Sequence, residues 1–281
     1  MILKIIDTKI LLRLALTFVF CVFPMFSCSA QPNCDTLDVV ILGDSNTSIG
    51  GDNCQKPRGW NTWFRQALRP RSCRSYARSG ATWTHTPETV CDTVEKIGVI
   101  GPRNVIYNQI MRLKNDVEAG RTPVPHLIIV AAGTNDAWFE DKRPGAFVMD
   151  ENLFSAKPEP PCAEPDPASM LTMQKAVMAD CGLLQRLFPK ARVVLFTPLQ
   201  STAISMEQLQ KPTRVLEACG KALNLSVVRQ DEVCVVKRAQ EQKKRRFTYD
   251  GTHTSEAGAR QNGQILADII KKLLTVTPDN K

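Results

Sequence analysis

The sequence LDVVILGDSN, residues 37–46, gives the clearest indication of the fold. Its apolar part is a short run rich in valine and isoleucine that ends at a glycine, which is typical of a buried strand in a parallel sheet. In open α/β sheets, ligands bind just beyond the carboxyl ends of such strands. Ser45 follows the predicted strand on a tight turn, so its hydroxyl is a candidate nucleophile. A simple turn or helix cap is the alternative interpretation.

A serine nucleophile needs a base within hydrogen-bond reach and a third group that orients the base. The chain has three histidines. His126 opens the apolar run 127–130 and is expected at the start of a strand, whereas His85 lies in a Thr-rich loop. His253 follows Asp250 by three residues on a short polar loop, so a carboxylate can lie beside its imidazole ring. A turn residue followed by a helix-capping neighbour is the alternative for this pair.

A tetrahedral acyl intermediate also needs hydrogen-bond donors for its oxyanion. Gly80 follows the strand-like segment 75–77, and glycine permits a close backbone approach. Asn135 follows the hydrophobic run 127–132, and its side-chain amide can donate a hydrogen bond. Both residues are therefore candidate oxyanion donors, with a turn glycine and an Asx-turn asparagine as the alternatives.

Together, these residues resemble the SGNH hydrolases, the superfamily of GDSL-type lipases and esterases. The resemblance covers the chain after residue 36 and depends on four blocks in the family's order: Gly43-Asp44-Ser45, Gly80, Gly133-Thr134-Asn135-Asp136 and Asp250-Gly251-Thr252-His253. One departure is Asn46, where many relatives carry leucine, and it concerns the packing beside Ser45.

The resemblance implies a role for each block. Ser45 would be the nucleophile, His253 the general base and then the general acid, and Asp250 the carboxylate that orients the imidazole. The oxyanion hole would consist of the backbone amides of Ser45 and Gly80 and the side chain of Asn135. The resemblance further implies a three-layer α/β/α sandwich with five parallel strands, and a reaction without metal or cofactor.

Alternating strand-like and helix-like segments independently predict a doubly wound parallel sheet with helices on both faces. The predicted strands are 38–42, 74–77, 127–132, 192–196 and 225–228. The predicted helices are 60–68, 104–118, 167–187, 206–222 and 255–274. Two insertions, 81–103 and the proline-rich 137–167, follow Gly80 and Asn135 and are expected to shape the substrate cleft.

Residues 1–30 are predicted to be a targeting segment, which leaves residues 31–281 as one hydrolase domain. A positively charged start precedes an apolar stretch at 14–26, which is shorter than the about 20 residues that a transmembrane helix needs. Two forms of processing are open, cleavage after Ala30 or lipidation of Cys28 as in bacterial lipoproteins. Both predict an exported protein, periplasmic or extracellular, and the second predicts a membrane anchor.

Export permits disulfides, and eight cysteines follow the targeting segment. Cys54 and Cys91 lie in loops after the presumed active-site turns, so a bridge between them is one expectation, and buried free thiols are the other. The spacing of cysteines, histidines and carboxylates fits no zinc site.

The substrate and partners are indicated only by aromatic and basic residues. Trp83 and Trp138 lie just past Gly80 and Asn135, where their rings could stack on a sugar or hold an acyl chain; local loop packing is the alternative. The formal net charge is +8, and part of the excess lies in the basic run at 243–246. Because no aromatic interleaving accompanies this run, we predict a solvated face and no nucleic-acid partner. An acidic glycan or membrane surface is the weaker alternative.

The sequence thus predicts an exported serine esterase that works through an acyl-enzyme intermediate, with a carbohydrate esterase that removes acetyl groups from glycans as the first choice. A lipase or lysophospholipase is the alternative within the same chemistry. A non-catalytic protein that retains the fold and binds a glycan or lipid is the alternative outside it.

Overall fold

A computed structural model describes residues 34–94, 101–155 and 166–275. The predicted targeting segment, 1–30, and Cys162 lie outside these residues. Five parallel strands form one sheet in the order β2-β1-β3-β4-β5. They are β1 (Asp38–Gly43), β2 (Ser72–Ser75), β3 (Leu127–Ala131), β4 (Arg192–Phe196) and β5 (Ser226–Val228). The order is that of flavodoxin-like sheets, and the prediction of a five-stranded parallel sheet is confirmed.

Ten α-helices connect or follow the strands in the described part of the chain. They are α1 (Ser45–Ser48), α2 (Trp60–Leu68), α3 (Ile106–Glu118), α4 (Thr134–Trp138), α5 (Asn152–Ser155), α6 (Met173–Leu187), α7 (Met206–Ala222), α8 (Gln230–Val233), α9 (Arg238–Lys243) and α10 (Glu256–Thr275). Short 3-10 turns occupy Cys34–Thr36, Glu140–Lys142 and Pro167–Ser169. None of the helices within the described ranges is long and apolar enough to cross a membrane.

Helices cover both faces of the sheet, because successive side chains of a strand point to opposite faces. On one face, alternate strand residues share a core with α3, α6 and α7. This core includes Val40, Leu42, Ile128, Val130, Val193, Leu195, Ile110, Leu113, Val177, Leu184, Val215 and Leu216. Strands buried on both faces explain why the predicted strands are continuous apolar runs rather than alternating ones.

The intervening strand residues form a second core with α2 and α10. It includes Val39, Ile41, Leu127, Ile129, Val194, Phe196, Trp60, Phe64, Leu68, Leu266 and Ile270. The two cores enclose the sheet as the middle layer, so the predicted α/β/α sandwich is confirmed. The carboxyl ends of β1 and β3 are held side by side, since Gly43 is in register with Ala131.

Most predicted elements agree with the observed ones to within two residues over both ends together, and two of them differ more. The predicted helix 167–187 is divided into the 3-10 turn Pro167–Ser169 and α6, because the Thr172 side chain caps α6 by accepting a hydrogen bond from the Lys175 amide. The predicted strand 74–77 begins and ends two residues earlier, at Ser72–Ser75, where β2 pairs with β1. Neither difference moves the segments that follow the strands to another edge of the sheet.

Candidate active site

Three polar side chains meet beyond the carboxyl end of β1. Ser45 begins α1 directly after this strand, and its Oγ lies 2.8 Å from Nε2 of His253. The other ring nitrogen, Nδ1, lies 2.6 Å from Oδ2 of Asp250. The structure therefore brings together all three residues to which the sequence assigned a hydroxyl, a base and an orienting carboxylate. A chain of hydrogen bonds runs from the carboxylate through the imidazole to the hydroxyl.

The loop that carries His253 is held by backbone hydrogen bonds to Asp250. Its Oδ1 accepts from the amides of Thr252 at 2.9 Å and His253 at 2.7 Å. Gly251 has a φ of +94°, and a Cβ there would lie 2.0 Å from Oγ1 of Thr202, so the turn requires glycine. One carboxylate thus fixes both the loop and the imidazole.

Asp250 is an ionised partner for the imidazole. Burial raises the pKa of this carboxyl, but hydrogen bonds from the His253 ring and from the His253 and Thr252 amides outweigh burial, and the net pKa lies below its usual range. We therefore expect a carboxylate at neutral pH, which favours a proton on Nδ1 of His253 and leaves Nε2 to accept the Ser45 proton.

An exposed aromatic ring covers one face of His253. The Tyr249 ring stacks on the imidazole with centroids 5.8 Å apart and planes 18° apart. The guanidinium of Arg58 lies 5.0 Å from the centroid of the Tyr249 ring. This stack restricts the orientation of the imidazole in addition to the bond to Asp250.

Of the predicted oxyanion donors, Gly80 lies on a turn after β2 and Asn135 lies in the first turn of α4, and hydrogen bonds connect these segments to one another and to α1. Gly80 has a φ of +78°. The hydroxyl of the preceding Ser79 lies 3.1 Å from that of Ser48 in α1, which begins at Ser45. Nδ2 of Asn135 donates to the Ala81 carbonyl at 2.9 Å, and since an amide nitrogen carries two protons, a second N–H remains available.

Asp136 attaches the Asn135 turn to the loop after Gly80. Its carboxylate is buried and accepts from the Trp83 amide at 3.1 Å, the Thr84 amide at 2.9 Å and the Thr84 hydroxyl at 2.7 Å. Burial raises the pKa of Asp136 despite these hydrogen bonds. The separation of the two candidate oxyanion donors is therefore fixed by a buried carboxylate.

Asp44, which precedes Ser45, is also buried. Its side chain caps α1 by accepting from the Asn46 amide at 3.0 Å. Burial raises the pKa of Asp44 to about 6, although hydrogen bonds from Asn46 and Thr134 oppose this change. Asn46 itself is buried, and its Oδ1 has no hydrogen-bond partner among the described residues.

Sequence reasoning missed two side chains that hold these turns. Gln109 of α3 donates to the Gly43 carbonyl and accepts from the Gly43 amide, each at 2.8 Å. A signal was present, because Gln109 is a polar residue on the apolar face formed by Ile106 and Ile110. The second is Glu241 of α9, for which the sequence gave no signal beyond an acid close to a basic run.

The buried Glu241 carboxylate organises the segment that leads into the catalytic loop. It accepts from the amides of Arg246, Phe247 and Thr248 at 2.9–3.2 Å. Burial raises the pKa of Glu241, but these hydrogen bonds and one from the Thr248 hydroxyl outweigh burial and lower it overall. The basic run at 243–246 is exposed, as predicted for a solvated face.

The two predicted substrate-binding tryptophans differ in exposure. The expectation that Trp83 presents its ring to a substrate is wrong, because its side chain is 0% exposed and belongs to the core beside α3. Trp138 is 49% exposed and stays a candidate. His126 precedes β3, as predicted, and His85 is buried, which lowers its pKa to about 4.

The expected bridge between Cys54 and Cys91 is also wrong. The Cys54 thiol lies 3.7 Å from the Cys73 sulfur on β2, whereas Cys91 lies 4.0 Å from the His85 ring. The cysteines of the described segments are free thiols. Cys54 follows α1 closely in sequence, but its loop turns back onto the edge strand rather than toward the insertion after Gly80.

A cavity of about 350 Å³ borders Gly80 and the insertions. Its walls include Thr82, Val105, Phe139 and Arg143. It combines apolar surface with a few polar groups next to a candidate oxyanion donor. No group of three histidine, cysteine or acidic side chains that could hold a metal ion occurs within the ranges that the structure describes.

Several solved hydrolase structures share this fold. A possible lipase from Chitinophaga pinensis has 16% sequence identity and a TM-score of 0.53 over 85% of this chain and 100% of its own. A protein described as a GDSL-like lipase from Bacteroides ovatus has 17% identity and a TM-score of 0.52 over 84% and 99%. The acetyl xylan esterase AlAXEase has 16% identity and a TM-score of 0.50 over 86% and 100%.

At these identities the likeness is one of fold. Neither a protein-family model nor a curated protein matches the chain.

Proposed function

We propose that this chain, whose fold is that of the SGNH hydrolases, is a serine ester hydrolase. The observation that carries the proposal is the continuous relay of hydrogen bonds, 2.6 Å from Asp250 to His253 and 2.8 Å from His253 to Ser45. A serine hydroxyl in solvent lacks such a base and is a weak nucleophile. The pair formed by His253 and Asp250 makes the Ser45 hydroxyl an effective one.

In the proposed acylation step, Ser45 Oγ attacks the ester carbonyl carbon while His253 Nε2 accepts the hydroxyl proton. The carbonyl oxygen becomes an oxyanion that accepts hydrogen bonds from the Ser45 and Gly80 amides and from Asn135 Nδ2. Asp250 stabilises the imidazolium. The imidazolium then gives its proton to the departing alcohol oxygen, and the acyl group stays on Ser45.

Deacylation repeats these roles with water as the nucleophile. His253 takes a proton from water, whose oxygen attacks the acyl carbon, and the collapsing intermediate returns the proton to Ser45 Oγ. The products are an alcohol and a carboxylic acid, and no step assigned to these residues calls for a cofactor.

We further propose that the substrate is a glycan that carries short acyl groups. The cavity beside Gly80 is about 350 Å³, close to the lower limit of about 300 Å³ for small-molecule sites, and favours a short acyl group over a long chain. Trp138 provides an exposed ring near the site. One structure of the same fold is named an acetyl xylan esterase, and we extend that chemistry to this chain as a proposal.

Export is the third part of the proposal and depends on residues 1–30 alone. A basic start followed by a short apolar stretch supports targeting to the periplasm or exterior. Cleavage after Ala30 would release the protein, and lipidation of Cys28 would anchor it. Acylated polysaccharides would be accessible in either case.

The test compares hydrolysis of p-nitrophenyl acetate, p-nitrophenyl palmitate and acetylated xylan by the purified protein. Ser45→Ala is expected to lower kcat by about 10⁴-fold or more, because removal of a triad nucleophile removes the covalent route. Ser169→Ala, which changes an exposed serine on a 3-10 turn, is the matched control and should leave kcat unchanged.

A preference for acetate together with loss of activity in Ser45→Ala would support the short-acyl proposal. A preference for palmitate would favour a lipase. Equal rates for the wild type and Ser45→Ala would contradict the serine mechanism. Absence of turnover on acetylated xylan and both chromogenic esters would favour a non-catalytic binding protein.

A further inference from the structure

A basic cavity of about 210 Å³ lies at the carboxyl end of β2, next to the strand that leads to Ser45. It lies between β2, the second half of α3, the loop after α1 and Thr93 of the insertion that follows Gly80. Two aspartates, Asp52 and Asp116, line it together with four arginines. The arginines are Arg74, Arg78, Arg112 and Arg121. The cavity is therefore lined by more positive than negative groups.

Both carboxylates of the cavity are already paired. Asp52 accepts from Arg78 at 2.8 Å. Asp116 forms ion pairs with Arg121 at 2.7 Å and Arg74 at 3.5 Å, and its Oδ2 accepts from the Tyr76 hydroxyl at 2.7 Å. Within the described residues, neither carboxylate forms an ion pair with the fourth arginine, Arg112.

Arg112 is the one arginine of this cavity that neither Asp52 nor Asp116 pairs with. Its Nε is buried without a hydrogen-bond partner, and it forms no ion pair within the described ranges. Burial and, to a smaller extent, the nearby positive charge of Arg78 lower the pKa of Arg112 to about 10, although the negative charges of Asp52 and Asp92 oppose this change. A buried Nε–H without an acceptor is costly, because this donor has lost its hydrogen bond to water and gained none from the protein.

We propose that this cavity binds an oxyanion, a carboxylate, sulfate or phosphate group, with Arg112 as its central ligand. A planar guanidinium donates two parallel hydrogen bonds to such groups, and the bond is strengthened by opposite charge. An anion here supplies the acceptor that Arg112 lacks and offsets the repulsion between Arg112 and Arg78.

The dimensions of the cavity favour a single anionic group over a whole small molecule. Its volume of about 210 Å³ is below the about 300 Å³ of typical small-molecule sites. The Arg74 and Arg121 side chains are 40% and 60% exposed, so they mark the entrance from solvent. The segment that follows β2 continues through Arg78 to Gly80, so the cavity lies at the same edge of the sheet as the candidate active site.

Thermal unfolding of the full chain in sodium sulfate or sodium phosphate, against sodium chloride at equal ionic strength, tests the site without any need for turnover. The wild type should gain roughly 3–6 °C in Tm for each tenfold excess of anion over its dissociation constant. Arg112→Gln should lose this gain. Arg214→Gln, which changes an exposed arginine of α7, is the matched control and should keep it.

Arg121→Gln provides a second variant at the exposed entrance, for use if Arg112→Gln does not fold. It should reduce the gain in Tm. An equal gain in Arg112→Gln and the wild type would overturn the proposal, as would no gain of the wild type in either salt.

A kinetic arm, which rests on the proposed esterase activity, identifies the source of the anion. Two esters share an acetyl group and differ in whether the alcohol carries a carboxylate or a carboxamide. If sulfate raises KM for the carboxylate ester alone, the occupant is a group on the substrate. If sulfate changes both KM values equally or neither, the occupant is a free anion. The thermal experiment decides the site itself, so failure of the esterase proposal leaves it interpretable.

Discussion

Asp44 is the residue whose burial has the clearest consequence at the scale of single side chains. Its pKa of about 6 lies above its usual value of 3.8, so the folded state binds the proton more tightly than the unfolded state does. Ionisation therefore opposes folding. The cost is absent below about pH 4, grows as the pH rises to about 6 and amounts to about 3 kcal/mol above it.

Asp44→Asn should remove this cost while keeping an acceptor for the Asn46 amide. We expect the free energy of unfolding of the variant, relative to the wild type, to rise between pH 4 and pH 7. Urea denaturation at both pH values measures the difference. Asp268→Asn, on an exposed position of α10, is the control, and an effect of Asp44→Asn that does not change with pH would contradict the prediction.

The residues of the candidate site could be named from the sequence because each follows a strand or lies in a short loop with a recognisable pattern. Their side-chain environments could not. Trp83 and Trp138 occupy equivalent places after two strands, yet one ring is in the core and the other is half exposed. Local sequence does not distinguish them, since the core that buries Trp83 is contributed by distant segments.

At the scale of elements, Glu241 connects α9 to the catalytic loop. It binds three successive amides at 246–248, and an antiparallel bridge between Thr248 and Thr254 then encloses the turn that carries Asp250 and His253. Because its pKa is lowered in the folded state, Glu241 contributes stability above its usual pKa range, and this contribution is lost as the pH falls through the folded value.

Glu241→Gln should weaken these bonds and loosen the loop. We expect a loss of about 1–3 kcal/mol of stability and a fall in kcat of at least about tenfold, since a small displacement of His253 disturbs the relay. Limited proteolysis and ester kinetics measure the two effects. Glu207→Gln, on the exposed first turn of α7, is the control. An unchanged kcat with an equally resistant loop would contradict this role.

The helices and strands themselves were largely predictable, because hydrophobic periodicity is a local property of the chain. The predicted helices 60–68 and 206–222 agree with α2 and α7 at both ends. Short helices such as α8 and α9 were missed, since four to six residues are too few to show a helical period.

At the scale of the whole molecule, the proposed export predicts one particular disulfide. The Cys54 and Cys73 sulfurs are 3.7 Å apart, so they can bridge with little movement. Oxidised glutathione would accept the two electrons, leaving a Cys54–Cys73 bond and two molecules of reduced glutathione. Closing this loop should stabilise the protein by about 3 kcal/mol.

Peptide mapping after oxidation, with thermal unfolding alongside, checks this prediction. Cys73→Ser should abolish both the cross-linked peptide and the gain in Tm, whereas Cys91→Ser should preserve them. A cross-link between Cys54 and Cys91 would contradict the observed arrangement.

The sequence by itself determined the layer order of this protein and the identity of the residues at the candidate site. The physical reason is that parallel strands place the residues after them at a common edge, so strand positions and short motifs suffice. These sequence patterns are local, and they suffice to place Ser45 after β1 and Asn135 after β3.

Only the tertiary structure decided which side chains share a contact across the chain. Ser45 and His253 are 208 residues apart, Cys54 lies beside Cys73 rather than its expected partner Cys91, and Arg112 faces a cavity built from four separate segments. Burial, pairing and the resulting pKa values depend on groups brought together by folding, and no local pattern encodes the partner of a side chain.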